Sequence, residues 1–292
     1  MSEAAVTVLD PSRCHLGEGP SYDPDQDVLF WFDIVERKLM EHRFAAGETV
    51  VHDLPVMASA IATVDEQRQL LVTETGLCLR ERASGAVTLV IPVEADNPAT
   101  RSNDARVHPS GALWFGTMGR KAERHAGAIY WHRGGEVRKL YPDITIPNSI
   151  CFSPDGAVAY FADTAKNILF RVSCDPATGL PNHEPTVFLD HRGQRGGLDG
   201  SVVDADGVIW NARWGVSRLD AYGPDAVHLR SVPMPTLQVS CPAFVGKSAD
   251  RLAVTSAWQD MGEAAREADS KAGMTFLVDL AVRGQHEPRA VV

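Results

Sequence analysis

The chain has 292 residues, of which 44% are hydrophobic and 23% are charged, and its formal net charge is −10. This composition is that of a globular protein with ample material for a core, and the negative charge argues against nucleic acid or an anionic membrane as a partner, because both require basic surfaces. The N-terminal residues MSEAAVTVLD contain no apolar leader, no run approaches the ~18 apolar residues of a membrane span, and the five cysteines form no CxxC pair, so we expect a soluble protein of the reducing cytoplasm.

Six segments share one pattern along the chain, in which an apolar run is followed by a turn and then by a second β-rich run. In chain order they are SYDPDQDVLFWFDI from Ser21, IATVDEQRQLLVTET from Ile61, ARVHPSGALWFGTM from Ala105, ICFSPDGAVAYFADT from Ile150, VVDADGVIWNARWG from Val202 and AFVGKSADRLAVTSAW from Ala243. Their spacing of roughly 40 to 50 residues is the period of a four-stranded propeller blade. The sequence therefore predicts an all-β fold, a single six-bladed β-propeller with four-stranded blades over residues 1–292.

The two ends of the chain are predicted to meet in one blade. The N-terminal run AVTVLD and the C-terminal run MTFLVDLAV both have β patterns, and their pairing would close the ring without a long exposed sheet edge. Helical periodicity is scarce, and the one candidate, residues 261–273, is interpreted as a loop insertion with a helical turn. Trp31, Trp114 and Trp210 occupy equivalent places in second strands, where we expect them to form blade cores.

The start of each first strand is a candidate position for a site, because first strands line the central channel of a propeller and begin at one of its mouths. Counting six residues back from the proline position of each turn gives Glu18, Ala60, Asn103, Asn148, Asp199 and Ser240. Polar strand starts are also common as solvated loop ends, but the symmetry brings these positions around one axis. Two carboxylates aimed at one point repel each other unless a cation lies between them. A cluster of Glu, Asn and Asp oxygens suits a hard divalent ion such as calcium, magnesium or manganese, which makes Asn148 a candidate metal ligand.

Four motifs stand in a characteristic order: LGEGPSYD with Glu18, RSNDARVHPSGALWFGTMG with Arg101 and Asn103, IPNSICFSPDG with Asn148, and LDGSVVDADGVIWNARWG with Asp199. Over almost the whole chain they resemble the gluconolactonase/regucalcin family of six-bladed propellers. The resemblance implies one divalent metal held by Glu18, Asn148 and Asp199, with calcium or zinc as first candidates and magnesium, manganese or iron(II) as further ones. It also implies that Arg101 and Asn103 contact a sugar lactone.

The activity implied by this resemblance is hydrolysis of an aldonolactone or aldarolactone to the free sugar acid. A divalent ion would polarise the ester carbonyl and stabilise the oxyanion, and Asp199 would take a proton from the attacking water as general base. Asp104 is a second candidate for the base. Neighbours on a strand point to opposite faces, so the alternative is that Asp104 serves only to brace the backbone.

One departure from the family pattern bears on the substrate. Relatives active on neutral lactones often have an acidic residue soon after the FGTM segment, whereas this chain reads FGTMGRKAERHAG, with Arg120 and Lys121. A basic group there could receive a carboxylate at the far end of the substrate. We therefore hypothesise that Arg120 and Lys121 bind an acidic sugar lactone, the alternative being that they are exposed cations without a role.

Two other function classes stay open. A non-enzymatic calcium-binding regulatory propeller would keep Glu18, Asn148 and Asp199 but would not need the pair of Arg101 and Asn103. A metal-dependent esterase or phosphotriesterase on the same fold would use the same polarisation of its substrate. Whether the protein is a sugar lactonase or an esterase of this second kind, we expect a monomer whose partner is a small molecule.

Overall fold

Runs of β-branched and aromatic residues, separated by turns rich in Gly, Asp and Pro, form the strands of the computed structural model, which describes residues 4–292. In chain order they are β1 (Ala5–Asp10), β2 (Gly17–Asp23), β3 (Val28–Asp33), β4 (Lys38–Arg43), β5 (Glu48–Asp53), β6 (Ala58–Thr63), β7 (Arg68–Thr73), β8 (Gly76–Glu81), β9 (Val87–Pro92), β10 (Thr100–Val107), β11 (Leu113–Gly119), β12 (Gly127–Arg133), β13 (Glu136–Ile144), β14 (Pro147–Phe152), β15 (Val158–Asp163), β16 (Ile168–Ser173), β17 (Thr186–Asp190), β18 (Gly197–Val203), β19 (Ile209–Trp214), β20 (Arg218–Tyr222), β21 (His228–Pro233), β22 (Val239–Val245), β23 (Arg251–Ser256) and β24 (Thr275–Asp279).

These strands form six antiparallel four-stranded sheets, five of which consist of consecutive strands from β2 to β21. The inner strand of each sheet contacts the inner strand of the next, and β22 contacts β2, so the sheets form a closed ring around a central channel. The predicted six-bladed propeller with four-stranded blades is confirmed. Within residues 4–292, α1 (Glu263–Ala268) is the one helix, and it lies in the segment 261–273 interpreted as a loop insertion with a helical turn. It is too short to cross a lipid bilayer.

The last sheet closes the ring by joining the two ends of the chain. Its order is β1-β24-β23-β22, and β1 pairs antiparallel with β24 through Ala5 opposite Asp279 and Val8 opposite Phe276. The prediction that AVTVLD and MTFLVDLAV meet in one blade is confirmed. Because every other sheet is built from consecutive strands, this pairing is the step that fastens the first blade of the ring to the last.

Apolar side chains fill the space between adjacent sheets. Trp31, Trp114 and Trp210 lie in the second strands β3, β11 and β19 and are buried, as the sequence predicts. One cluster shows the principle: Trp114 packs with Ile150 and Phe161, which belong to the following sheet. Burial of each such side chain contributes roughly 1.5–3 kcal/mol, so the core holds neighbouring blades in a fixed relation and thereby sets the shape of the channel.

Every inner strand carries an irregularity at the same depth. In five of them two consecutive residues lie opposite one residue of the second strand: Gly19 and Pro20, Asn103 and Asp104, Ser149 and Ile150, Asp199 and Gly200, and Ser240 and Cys241. In β6 a single residue, Ser59, is extra. Such β-bulges bend the strand and redirect the side chains beside them. Of the predicted site residues, four stand at or next to these bulges: Glu18, Asn103, Asn148 and Asp199.

Residues 281–292, here called the C-terminal strap, run across the mouth where the inner strands end. Arg283 O accepts a hydrogen bond from Ala205 N, and Ala290 N donates one to Thr63 O on the other side of the channel. Between these anchors Glu287 forms an ion pair with Arg106, which projects from β10. The strap thus covers the mouth opposite to the one where the inner strands begin.

Candidate active site

Five predicted site residues meet at the mouth where the inner strands begin. All are buried, with 4–8% of each residue exposed, and they come from four different blades: Glu18, Arg101, Asn103, Asn148 and Asp199. A chain of hydrogen bonds links three of them. Arg101 Nη1 donates to Asn103 Oδ1 at 2.9 Å, and Asn103 Nδ2 donates to Asn148 Oδ1 at 2.9 Å.

The amide of Asn148 is held in one orientation from both sides. Its Nδ2 donates to Thr164 Oγ1 at 2.8 Å, and Thr164 Oγ1 donates in turn to Leu198 O at 2.6 Å, next to Asp199. The residue that follows Asn148, Ser149, has a φ of 55°, the left-handed conformation, which belongs to the bulge of β14. These constraints direct Asn148 Oδ1 to the same side as Asn103.

The two carboxylates of the site are destabilised by their surroundings. Burial, with the charge of the nearby Asp104 as the next cause, raises the pKa of Glu18 to about 8. Burial likewise raises the pKa of Asp199 well above its usual value, with the charge of Glu18 as the next cause. Burial also lowers the pKa of Arg101 to about 10, which still leaves its guanidinium charged at neutral pH.

This donor set fits a hard divalent cation. It offers two carboxylates and one oriented carboxamide oxygen. The cations that act on the buried Glu18 are Arg101 and Arg106, and Arg106 is already paired with Glu287, so the two ionised carboxylates would exceed the positive charge left to them. Across residues 4–292 no three His, Cys, Asp or Glu side chains are grouped as a metal site. The predicted set contains only two such side chains, so its fit depends on the carboxamide of Asn148 as the third donor.

Asp104, the second candidate for the general base, is engaged with the backbone. Its Oδ2 accepts a hydrogen bond from Ile150 N at 2.7 Å, which ties β10 to the bulge of β14. Burial raises the pKa of Asp104 to about 6, against the opposing effect of the Arg106 guanidinium. This contact is the backbone brace considered in the sequence analysis. Alternation of faces along the strand does not explain this role, however, because Asp104 lies in the bulge of β10, where neighbouring residues do not alternate regularly between the two faces.

Arg120 lies at the same mouth, but its charge is already paired. It forms an ion pair with Glu74, and its Nε donates to Pro98 O at 2.8 Å. Glu74 also accepts a hydrogen bond from Met57 N, at 2.9 Å. In the protein without a ligand the guanidinium of Arg120 is therefore not free, and the hypothesis that it binds an acidic lactone stays a prediction. Lys121, by contrast, is exposed.

Glu74 and Thr164 also belong to this mouth and were not predicted, although one signal in the sequence could have found them. Each directly follows a second strand, as Arg120 does: Glu74 follows β7, Arg120 follows β11 and Thr164 follows β15. In an antiparallel blade the end of the second strand lies beside the start of the first strand. The residue after each second strand therefore faces the same mouth as the predicted site residues.

The opposite mouth contains a separate cavity of about 220 Å³ beneath the C-terminal strap. Its walls include Arg106, Phe244 and Glu287. Because these residues come from the ends of the inner strands and from the strap, the cavity is not part of the site around Glu18 and Asp199.

Comparison with known proteins adds independent findings. A family model described as "SMP-30/Gluconolactonase/LRE-like region" matches residues 16–258. A Rhizobium meliloti protein with the provisional name sugar lactone lactonase is 50% identical over 280 residues, which cover 96% of this chain and 95% of that protein. The L-arabinolactonase of Azospirillum brasilense is 36% identical over 93% of this chain and 91% of its own length. A solved structure described as regucalcin, a calcium-binding protein from Agrobacterium tumefaciens, is 48% identical, covers 100% of both chains and superposes with a TM-score of 0.98.

Proposed function

The chain belongs to the SMP-30/gluconolactonase/LRE-like family, and on that premise we propose that it hydrolyses a sugar lactone to the free sugar acid with a divalent cation at the mouth of its channel. The observation that carries the proposal is the hydrogen-bonded series Arg101, Asn103 and Asn148 beside the two buried carboxylates. A protein that only bound a cation would have no need of a guanidinium held against its ligands. The names of relatives as lactonases support the same conclusion.

Glu18, Asn148 and Asp199 would hold the cation, with calcium and zinc as the first ions to test. When bound, such an ion supplies Lewis-acid polarisation of the lactone carbonyl and compensates the negative charge that develops on its oxygen. It would also keep both carboxylates ionised, against the burial that raises the pKa of each.

The remaining chemistry belongs to side chains of this protein. Arg101 uses Nη1 for Ser102 O and Asn103 Oδ1, which leaves Nε and Nη2 without a partner among residues 4–292 and free to donate to oxygens of the sugar. Asp199 accepts a proton from water as the water oxygen attacks the carbonyl carbon, and the ring C–O bond then breaks. Asp199 returns the proton to the leaving ring oxygen, so that lactone and water give the hydroxy acid.

The test is acid release, followed with a pH indicator, from a panel of aldono- and aldarolactones, without metal and with calcium, magnesium, manganese or zinc. D199N should lower kcat by about 10²–10⁴, the usual contribution of a general base. D104N is the matched control, since its amide oxygen can still accept from Ile150 N, and it should lose less than about tenfold. A large loss in D104N alone would transfer the role of base to Asp104.

The alternative functions predict different results in the same assay. No rate above the spontaneous background, together with tight metal binding, would favour the calcium-binding regulatory propeller, consistent with the description of the Agrobacterium structure. Turnover of simple esters or phosphotriesters but not of sugar lactones would favour the esterase or phosphotriesterase.

We further propose that the protein acts as a monomer in the reducing cytoplasm. All five cysteines are free and buried, which is the usual state of thiols in that compartment. Sedimentation equilibrium with and without calcium measures the oligomeric state, and a dimer under both conditions would contradict the proposal.

A further inference from the structure

The ion pair of Glu74 and Arg120 is fixed on several sides at the mouth of the channel. The side chain of Glu74 is 13% exposed, and its Oε1 accepts a hydrogen bond from Met57 N at 2.9 Å. The side chain of Arg120 is 33% exposed, its Nε donates to Pro98 O, and its Nη1 lies 3.5 Å from Met57 Sδ. Both ends of the pair are thus anchored to backbone, so the guanidinium is not free to swing towards a ligand.

This pair lies next to the proposed substrate-binding arginine. Arg101 pairs with Met118 across β10 and β11, and Thr100 pairs with Gly119, so Arg120 stands one residue beyond this ladder at the same mouth. The Arg120 charge is close enough to contribute to the lowered pKa of Arg101, while Glu18 and Asp199 act on Arg101 in the opposite direction. Arg101 is therefore influenced by both groups, the carboxylates of the site and the ion pair of Glu74 with Arg120.

We propose that Glu74 is a specificity-determining residue, which binds Arg120 and so withholds its guanidinium from a substrate carboxylate. The inference depends on the proposed lactonase function. An arginine with a free fork at this place would attract a lactone that carries a carboxylate at its far end, whereas an arginine already bound to a carboxylate offers little to a second one. The mouth accordingly favours neutral sugar lactones, which reverses the preference hypothesised from the sequence.

The experiment compares kcat/KM for a neutral aldonolactone with that for the aldarolactone of the same sugar. In E74Q the amide oxygen can still accept from Met57 N, but Arg120 loses its countercharge. We expect the ratio of acidic to neutral kcat/KM to rise about tenfold, mainly through a lower KM for the acidic lactone, because a hydrogen bond to a charged group commonly contributes this much. The double variant E74Q/R120Q should return the ratio to within about twofold of the wild-type value.

Two further variants exclude general effects of charge and of folding. E136Q makes the same change of charge in the outer strand β13, where Glu136 pairs with the exposed Arg138, and should leave the ratio unchanged. R120Q should lower the ratio of acidic to neutral kcat/KM, because it leaves the Glu74 carboxylate unpaired at the mouth, where it repels an acidic lactone. This variant tests the proposal even if E74Q folds poorly.

The outcomes separate the inference from the function on which it depends. A wild-type enzyme that prefers the acidic lactone, or an E74Q ratio within twofold of the wild type, overturns the role of Glu74 and leaves the lactonase function intact. A wild-type protein that hydrolyses neither lactone with any of the metals overturns both.

Discussion

The carboxyl groups of Glu18 and Asp199 share a buried space, and this has a measurable effect on the protein without metal. Burial, together with the charge of Asp104, raises the pKa of Glu18 to about 8, and burial together with the charge of Glu18 raises that of Asp199 well above its usual value. At neutral pH the folded, metal-free protein therefore retains a proton that an unfolded chain, with an ordinary carboxyl pKa of about 4, has already released. If the proposed cation binds here, we expect its binding to be coupled to folding through that proton.

We expect the metal-free protein to become less stable as the pH rises from about 7 to about 8. In this range the histidines, four of which have a lowered pKa in the folded protein, are largely neutral in both states, whereas Glu18 still binds a proton only in the folded state. The free energy of unfolding therefore falls with pH, by at most about 1.4 kcal/mol per unit for one proton. Thermal denaturation in a chelating buffer at several pH values measures the slope of the free energy of unfolding against pH. Saturating calcium should reduce it, because the bound ion keeps the carboxylates ionised.

The matched control for this prediction is D199N, which removes one of the two interacting carboxylates. Its metal-free form should have a smaller slope than the wild type, and calcium should raise its melting temperature less. A slope that is the same in the two proteins would assign the effect to other titrating groups and contradict the prediction.

The residues of the site differ in how far they could be predicted. Glu18, Asn148 and Asp199 stand at fixed distances from recognisable turns, so a count along the chain finds them. Glu74 could have been located directly after the second strand β7, but its role depends on Arg120, which lies 46 residues away in the chain. The sequence reveals a charged residue, but only the fold reveals whether that charge is free or paired.

At the scale of the strands, the β-bulges show that the count from the turns treats unlike positions as equivalent. Glu18 and Asn148 are the last paired residues before their bulges, whereas Asn103 and Asp199 are the first residues within theirs. The count from the turn treats all four as equivalent. A bulge adds one residue to the strand and interrupts the alternation of faces, and neither effect is visible in a pattern of apolar and polar residues.

The bulge of β2 leads to a prediction about Gly19, which has a φ of +58°. A Cβ at this position would lie 2.0 Å from Ser59 O, in the neighbouring inner strand. G19A should therefore lower the free energy of unfolding by about 2–4 kcal/mol, which exceeds the ~1 kcal/mol that the left-handed backbone conformation alone costs. It should also impair activity by displacing Glu18.

Gly47 provides the matched control in the same blade. Its φ is +65°, but a Cβ there would meet nothing within 4 Å. G47A should cost only the conformational term of about 1 kcal/mol and leave kcat/KM unchanged. Urea denaturation of both variants gives the comparison, and equal losses would show that the close approach of β2 to β6 does not constrain the bulge.

At the scale of the whole molecule, the ring is fastened at two places, of which the sequence predicts one. The pairing of β1 with β24 follows from two β patterns at the ends of the chain. The C-terminal strap forms no strand or helix, and its residues AVRGQHEPRAVV show no periodicity, so its course across the channel could not be predicted. It is held by separate contacts to distant blades, including those of Thr63 and Ala205.

The ion pair of Arg106 and Glu287 is the contact that places the strap over the centre of the channel. The side chain of Arg106 is 8% exposed and that of Glu287 is 22% exposed, so removal of the carboxylate charge leaves a nearly buried guanidinium without its partner. Breaking such a pair is costly because the remaining charge cannot regain its hydration. The partial exposure of Glu287 reduces the cost, and we expect E287Q to lower the free energy of unfolding by about 1–3 kcal/mol.

D206N is the control that separates this effect from the loss of any charge near the strap. Asp206 pairs with Arg283 at the start of the strap, but both side chains are largely exposed, at 53% and 74%. An exposed pair contributes about 0–1 kcal/mol, so D206N should change the stability to urea little. The double variant R106Q/E287Q should recover part of the stability lost in E287Q, because it also removes the buried, unpaired charge of Arg106. If D206N and E287Q lose the same stability, burial of Arg106 is not what fastens the strap, and its backbone hydrogen bonds to distant blades would have to account for its position.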